Sequence, residues 1–264
     1  MMKEQDLQNS ITLTIGPGAE PETAARLAAC FPVGQPAEDA LCLRLDGEGL
    51  ALVSGGQELR GDFMKLLSRV QNNAWQRELL ARAAKLKNVE GPLTAVDATA
   101  GLGEDSLVLA AAGYAVQLYE RNPVIYELLR DAVERARKAP ELAETAARME
   151  VFRGDSAAAM AAMTAPPDII LLDPMFPARQ KSALVKKKLQ MIQRLETPCT
   201  DEAELLLSAA KARPRRLIIK RPPKGPFLAG VKPDYSISGK AVRFDCIADP
   251  FGKLHTFKIE LPAE

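Results

Sequence analysis

From Leu93 onward the chain alternates short apolar runs with longer helical segments, and this alternation constrains its fold more than any other feature. Strands are expected at Leu93–Asp97, Ala115–Tyr119, Met149–Phe152, Ile169–Leu172, Arg216–Lys220, Ala241–Ile247 and His255–Leu261. Helices are expected between them at Glu104–Ala112, from about Pro123 to Arg137, and near Asp201–Ala212. Strands that alternate with helices pair in parallel, because each crossover returns the chain to the same edge of the sheet. The expectation is an α/β fold: a doubly wound, mostly parallel, seven-stranded Rossmann-like sheet. Such sheets bind ligands at the carboxyl ends of their strands, at the point where strand order reverses. The polar residues that end each apolar run are therefore the candidates for chemistry.

Before this unit the pattern differs. Ile11–Ile15 alternates apolar residues with threonine and reads as a strand. Glu22–Cys30 is helix-like, and Leu41–Leu45 and Leu50–Val53 flank Asp46-Gly47-Glu48-Gly49, a hairpin with a four-residue loop. Residues 61–90 read as mainly helical, most clearly from Trp75 to Lys87. The expected division is a small N-terminal α/β lobe with a helical linker at 1–90 and the doubly wound domain at 91–264.

Several functions are excluded. The longest nearly apolar run, Leu107 to Val116, has ten residues, and a membrane span needs about 20. The first ten residues are polar and carry no signal-peptide core. A soluble, cytoplasmic protein is expected. The one histidine, His255, is read as a strand histidine, and the four cysteines (Cys30, Cys42, Cys199 and Cys246) form no C-x-x-C. Zinc needs three or four clustered ligands, so no metal is expected. A Ser-His-Asp hydrolase would rest on His255 alone, and the cysteines read as free thiols.

The first strand runs into Asp97-Ala98-Thr99-Ala100-Gly101-Leu102-Gly103-Glu104-Asp105. Gly101 and Gly103 permit a tight turn and close approach of a ligand to the backbone. The second strand ends at Glu120-Arg121-Asn122-Pro123, with Glu120 seventeen residues after Gly103. An acid at that place can accept from both hydroxyls of a ribose, so a nucleoside-containing cofactor is expected across the first two strands. Glu104 and Asp105 would repel a pyrophosphate at the helix N-terminus and suit a cation. That favours the sulfonium of S-adenosylmethionine over a dinucleotide. At the third strand's end, Asp155 and Ser156 either receive the adenine or cap the next helix.

The fourth strand ends in Asp173-Pro174-Met175-Phe176-Pro177. This resembles the D/N-P-P-Y/F signature of methyltransferases that act on planar exocyclic amines. Such an amine is a poor nucleophile because its lone pair is delocalised into the ring. Asp173 and the Pro174 carbonyl can accept its N–H bonds and compensate the charge developing at nitrogen. Phe176 supplies a face on which a flipped base stacks.

Net charge is +1, but residues 174–264 hold 18 bases and nine acids while residues 1–60 hold four bases and nine acids. Seven bases fall within Lys211–Lys224 and five within Arg179–Lys188. Such clusters attract polyanions.

From Asp97 onward the chain resembles the small-subunit ribosomal RNA guanine-N2 methyltransferase J family. The blocks that carry the resemblance are Asp97–Gly103, Glu120–Pro123, Asp173–Pro177 with the following Gln180–Lys187, Lys220-Arg221-Pro222 and Arg243-Phe244-Asp245. The resemblance implies S-adenosylmethionine-dependent methylation of a guanine N2 in 16S rRNA, with free rRNA or the small ribosomal subunit as partner. Expected cofactor contacts are Asp97, Gly101, Gly103, Glu104, Asp105, Glu120, Arg121, Asp155, Ser156 and Asp173. Expected catalytic residues are Asp173, Pro174 and Phe176. Lys181, Lys186, Lys187, Lys220 and Arg221 are expected to meet RNA around the catalytic mouth. The alternatives are a methyltransferase for adenine N6 or a glutamine amide, and a noncatalytic RNA-binding assembly factor.

Overall fold

The computed structural model describes residues 8, 10–87, 89, 91–174, 191–192, 194–195 and 202–256. Two sheets organise them. The N-terminal sheet has the order β1 (Thr12–Ile15), β2 (Cys42–Asp46), β3 (Gly49–Ser54), β4 (Gln57–Leu59). The strand β1 joins β2 in parallel through the crossover helix α1 (Pro21–Ala28), and the rest is antiparallel. The hairpin is tighter than expected. Asp46 pairs with Gly49, leaving two loop residues, and Gly49 takes φ +100. The Asp46 carboxylate accepts the Glu48 amide at 2.9 Å, which fixes this turn. Three-residue β4 was not anticipated, because so short a strand shows no alternation.

The expected long helix at Trp75–Lys87 is broken. A 3-10 turn at Phe63–Leu66 leads into α2 (Leu67–Val70), a second 3-10 segment (Gln71–Arg77) and α3 (Leu79–Ala84). Glu78 takes extended angles (φ −67, ψ 135) between the 3-10 segment and α3, and Lys85 (φ −60, ψ 109) ends the helix. Upstream, Asn72 and Asn73 sit at φ 50 and 61, where asparagine tolerates the left-handed region better than most residues. This segment packs on the larger sheet. Phe63, Val70, Leu80, Ala83 and Ala84 join its core, and Trp75 packs against it.

The larger sheet contains β5 (Leu93–Asp97), β6 (Tyr114–Glu120), β7 (Met149–Arg153), β8 (Ile169–Leu172), β9 (Arg216–Arg221), β10 (Tyr235–Ser238) and β11 (Arg243–Ala248). Its order is β10-β11-β9-β8-β5-β6-β7. The five strands from β9 to β7 are parallel, and β11 runs antiparallel to both its neighbours. The doubly wound, seven-stranded expectation therefore holds, with one exchange of members. His255 lies in a helix, α9 (Pro250–Thr256), and the seventh strand is β10. The Asp249-Pro250 pair explains the helix: proline suits its first turn, and the Asp249 carboxylate accepts the Gly252 amide at 3.2 Å. The strand β10 lacked a clear apolar signal because it is an edge strand with a single apolar member facing inward, Ile237. Residues 257–261, the rest of the expected last strand, lie outside the described residues.

The helix α4 (Glu104–Ala111) packs on one face of the sheet, and α7 (Ser156–Ala161) and α8 (Glu202–Lys211) on the other. Short α6 (Ala143–Ala146) adds to the α4 side. The long helix α5 (Pro123–Lys138) joins the sheets. Val124, Ile125 and Leu128 enter the core of the N-terminal sheet, while Leu129, Ala132, Val133 and Ala136 enter that of the large one. Its buried acids are paired: Glu127 with Arg26 of α1 across the same junction and, within α5, Asp131 with Arg135, whose guanidinium also donates to the Gly61 carbonyl. Cys30, Cys42 and Cys246 are free thiols.

Candidate active site

Strand order reverses between β5 and its neighbours β6 and β8, and the conspicuous polar groups gather at the carboxyl ends of these strands. The turn after β5 is built by its own backbone. The Ala98 amide donates to the Leu171 carbonyl, the Ala100 amide to the Tyr119 carbonyl, and the Gly103 amide to the Ala100 carbonyl. The turn is thus tied to both neighbouring strands. Gly101 and Gly103 take φ +54 and +75, a region that costs an L side chain roughly 1 kcal/mol or more. Their surroundings differ. A Cβ on Gly101 would meet nothing within 4 Å, so that backbone borders open space. A Cβ on Gly103 would stand 2.6 Å from Leu129 Cδ1 and 3.1 Å from Phe63 Cζ. Gly103 lets the helix N-terminus close onto α5 and the linker, and Gly101 leaves room for a ligand.

Glu120 ends β6 in a buried position. Its Oε2 accepts the Gly101 amide at 3.1 Å and its Oε1 the Asn122 amide at 2.6 Å. Two backbone donors fix the carboxylate beside the glycine turn. Asn122 then caps α5, and its side-chain amide donates to the Leu195 carbonyl at 2.8 Å.

Asp97 ends β5 and is only 2% exposed. The Ser106 hydroxyl donates to its Oδ2 at 2.5 Å and the Thr99 amide to its Oδ1 at 3.2 Å. Burial, aided by the nearby Asp105 and Asp173 carboxylates, outweighs these hydrogen bonds and pushes its pKa up to about 7. Asp173 follows β8. Its amide donates to Thr99 Oγ1 at 2.6 Å, which locks the end of β8 to the turn after β5. Lys220, near the end of β9, places its ammonium 2.5 Å from Asp105 Oδ2 and 2.9 Å from Asp173 Oδ2. Burial opposes the lysine's charge, but the two carboxylates prevail and hold its pKa above the ordinary lysine value. Burial also raises the Asp173 pKa, against the pull of Lys220. Pro174 is buried directly behind it.

The expected residues therefore divide. Asp97, Gly101, Gly103, Asp105, Glu120 and Asp173 converge on one carboxyl edge. Glu104 and Arg121 border the same turns and are exposed. Asp155 caps α7 by accepting the Ala157 amide at 2.9 Å, the structural role its residue type favours, and Ser156 behind it is buried. Two of the expected RNA contacts are among the described residues, and burial argues against one of them, Arg221. Lys220 faces the carboxylates of the site. Arg221 is 1% exposed, and its guanidinium donates to the Pro226 carbonyl at 3.0 Å and pairs with Glu202 at 3.3 Å. A side chain so enclosed presents nothing to a phosphate. Phe176, Lys181, Lys186 and Lys187 lie outside the described residues. Thr99, Ser106 and the Lys220 bridge between Asp105 and Asp173 were missed. The signal for the first two is a hydroxyl close after a strand-terminal aspartate.

The donor set fits an adenosyl cofactor: a fixed carboxylate at the end of β6, an unobstructed glycine turn beside it, and further carboxylates nearby for a cation. No helix among the described residues is long and apolar enough to cross a membrane, and no group of metal-ligating side chains occurs among them.

This sheet and this edge define an S-adenosylmethionine-dependent methyltransferase. The family described as putative SAM-dependent methyltransferase matches residues 26–248. Among curated relatives, the ribosomal RNA small subunit methyltransferase J of Thioalkalivibrio sulfidiphilus is 43% identical over 220 residues, covering 80% of this chain and 86% of the relative. The protein of the same name from Neisseria meningitidis serogroup C is 40% identical over 226 residues, covering 84% and 89%. The crystal structure of a SAM-dependent methyltransferase from Neisseria gonorrhoeae superposes with a TM-score of 0.74 at 32% identity, covering 94% of this chain and all of that one. The chain belongs to the ribosomal RNA small subunit methyltransferase J family.

Proposed function

We propose that this protein methylates the exocyclic N2 of a guanosine in 16S rRNA of the small ribosomal subunit. The observation that carries the chemistry is Asp173, held at the sheet's switch point by Thr99 and Lys220. The relatives' names support the RNA substrate. When bound, S-adenosylmethionine supplies an electrophilic methyl group on a sulfonium.

The protein's part is binding and positioning. Glu120 is suited to accept from the ribose hydroxyls, and the backbone at Gly101 leaves space for the nucleoside. Asp105 contributes negative potential near the cation, and Asp97, part-protonated near neutrality, holds the turn through Thr99 and Ser106. Asp173, with the Pro174 carbonyl, accepts the N–H bonds of the guanine amine. Those bonds draw the lone pair out of the ring and stabilise positive charge at nitrogen as the new bond forms. Lys220 keeps Asp173 oriented. Phe176 is proposed as the stacking face for the extruded base. No strong base is required before attack, because the amine becomes acidic only once it carries the methyl group.

The test is transfer of a labelled methyl group from S-adenosylmethionine to small subunits purified from cells lacking this protein, followed by digestion to nucleosides. N2-methylguanosine is expected from the wild type. Asp173→Ala should lose at least a hundredfold in rate while calorimetry still detects cofactor binding. N6-methyladenosine in the digest, or an unimpaired Asp173→Ala, would overturn the reading.

A further inference from the structure

The basic cluster of Lys211–Lys224 does not converge on the methylation mouth. The strand β9 divides it. Lys220 lies at the carboxyl end, while Arg215 and Arg216 lie at the amino end, where Arg216 pairs with Ile169 at the start of β8. Four steps along the strand separate Arg216 from Lys220, about 13 Å at roughly 3.3 Å per step. The amino-terminal edge carries its own open cleft, of about 430 Å³.

Five bases line that cleft, Arg82, Lys85, Lys87, Arg215 and Arg216, together with Tyr235. They come from three separate stretches: α3 and the linker after it, the start of β9, and the start of β10. No carboxylate lines it among the described residues. Asp234, next to Tyr235 in the chain, pairs with Lys253 and accepts the Ala248 amide. Asp168 is likewise engaged: it accepts the Thr94 amide at 2.8 Å and pairs with Arg215 at 3.0 Å. Arg215 remains 62% exposed despite that pair. Arg82, Lys85 and Lys87 are exposed, with no carboxylate partner among the described residues.

The cleft also has a built floor. The Arg216 guanidinium donates to the Ala83 and Lys85 carbonyls at 2.6 and 2.9 Å, fastening the linker to the sheet edge. The same guanidinium lies 5.8 Å from the Tyr235 ring centroid, and Tyr235 is 40% exposed. Uncompensated positive charge around an accessible aromatic ring is the combination that binds single-stranded nucleic acid, with phosphates on the bases and a nucleobase on the ring. A solvated helix face accounts for Arg82 but not for three convergent stretches anchored by a guanidinium that donates to two backbone carbonyls.

We infer that this cleft is a second RNA-binding site, which holds the phosphodiester backbone of the substrate at the sheet edge opposite the methylated base. The inference rests on the rRNA reading above and extends it. The substrate is an RNA long enough to reach both edges, and affinity is set largely away from the reacting amine.

The test uses the full chain carrying R82E/K85E/K87E, assayed on protein-free 16S rRNA and on small subunits. KM for either RNA should rise tenfold or more, while cofactor affinity by calorimetry changes less than twofold. The slope of log affinity against log salt should fall by about 2, since each lost phosphate contact removes about 0.7–0.9. Unchanged KM and salt slope with intact cofactor binding would overturn the inference. An effect on particles but not on protein-free rRNA would also overturn it, by assigning the cleft to an acidic ribosomal protein. If the reversed charges abolish cofactor binding, R82Q/K85Q/K87Q decides by the same criteria. If the wild type itself transfers no methyl group to either RNA, the proposed function has failed, an outcome distinct from an active wild type with an equally active variant.

Discussion

The ammonium of Lys220 bridges two carboxylates from different strand ends, 2.5 Å from Asp105 and 2.9 Å from Asp173. Asp105 opens α4 and Asp173 follows β8, so one β9 side chain fixes the relative placement of the cofactor turn and the catalytic strand end. Asp173 keeps 41% of its side chain exposed while this contact holds one of its oxygens. In the proposed reaction Lys220 is a positioning residue, which acts on the substrate amine through Asp173.

Lys220→Met separates positioning from RNA contact. Removing the ammonium leaves two partly enclosed carboxylates uncompensated, at a cost of about 1–3 kcal/mol in stability. We expect kcat to fall ten- to a hundredfold with less than a threefold change in KM for rRNA. A large rise in KM at constant kcat would return Lys220 to the RNA-contacting role that its position in the sequence suggested. Adding Asp105→Asn should recover stability, because the residual like-charge repulsion is relieved, without restoring kcat.

The two glycines of the cofactor turn should fail differently. Gly103→Ala adds a methyl where Leu129 Cδ1 stands 2.6 Å away, on a backbone at φ +75. Strain and overpacking add, for a loss of about 2–4 kcal/mol. Gly101→Ala adds the same methyl at φ +54 with nothing within 4 Å. Its stability cost is about 1 kcal/mol, but the methyl occupies the space a nucleoside needs. Thermal unfolding should rank Gly103→Ala as the less stable protein. Calorimetry should show the larger loss of cofactor affinity, tenfold or more, per unit of lost stability in Gly101→Ala. Equal affinity losses at equal stability would show that Gly101 does not face the cofactor.

The legible parts of this fold and site share a physical cause. Asp97, Glu120 and Asp173 stand out in the sequence because each is the first acid after an apolar run, and such a run ends where the sheet edge meets solvent or ligand. The alternation itself fixes the parallel sheet. What stayed hidden depends on partners remote in sequence. A lysine and an arginine that end a strand both read as surface bases. Lys220 turns toward Asp105, 115 residues upstream, and Arg221 is enclosed with Glu202, 19 residues upstream. Whether Asp155 meets a ligand or caps a helix is likewise unreadable from residue type, because the same side chain does either. The edge strand β10 is held mainly by backbone pairing with β11, which leaves little apolar signal.

Asp97 gives the site a pH dependence whose sign is set by burial. Its pKa rises from 3.8 to about 7 because desolvation outweighs the hydrogen bonds from Ser106 and Thr99. The folded protein therefore holds a proton near neutrality that the unfolded chain releases. Unfolding releases protons between about pH 4 and pH 7, so this group's contribution to stability falls as pH rises through that window and levels off above it. A shift of this size corresponds to a loss of roughly 4 kcal/mol across the window, an upper figure. Asp97→Asn has nearly the same shape as the protonated acid and cannot ionise. Chemical denaturation at half-unit steps from pH 4.5 to 8.5 should show the variant gaining stability relative to wild type as pH rises, with the gain complete by about pH 8. A difference that stays flat over this range would mean that Asp97 is already ionised in the folded protein at pH 4.5, and that Ser106 and Thr99 stabilise the anion more than burial disfavours it.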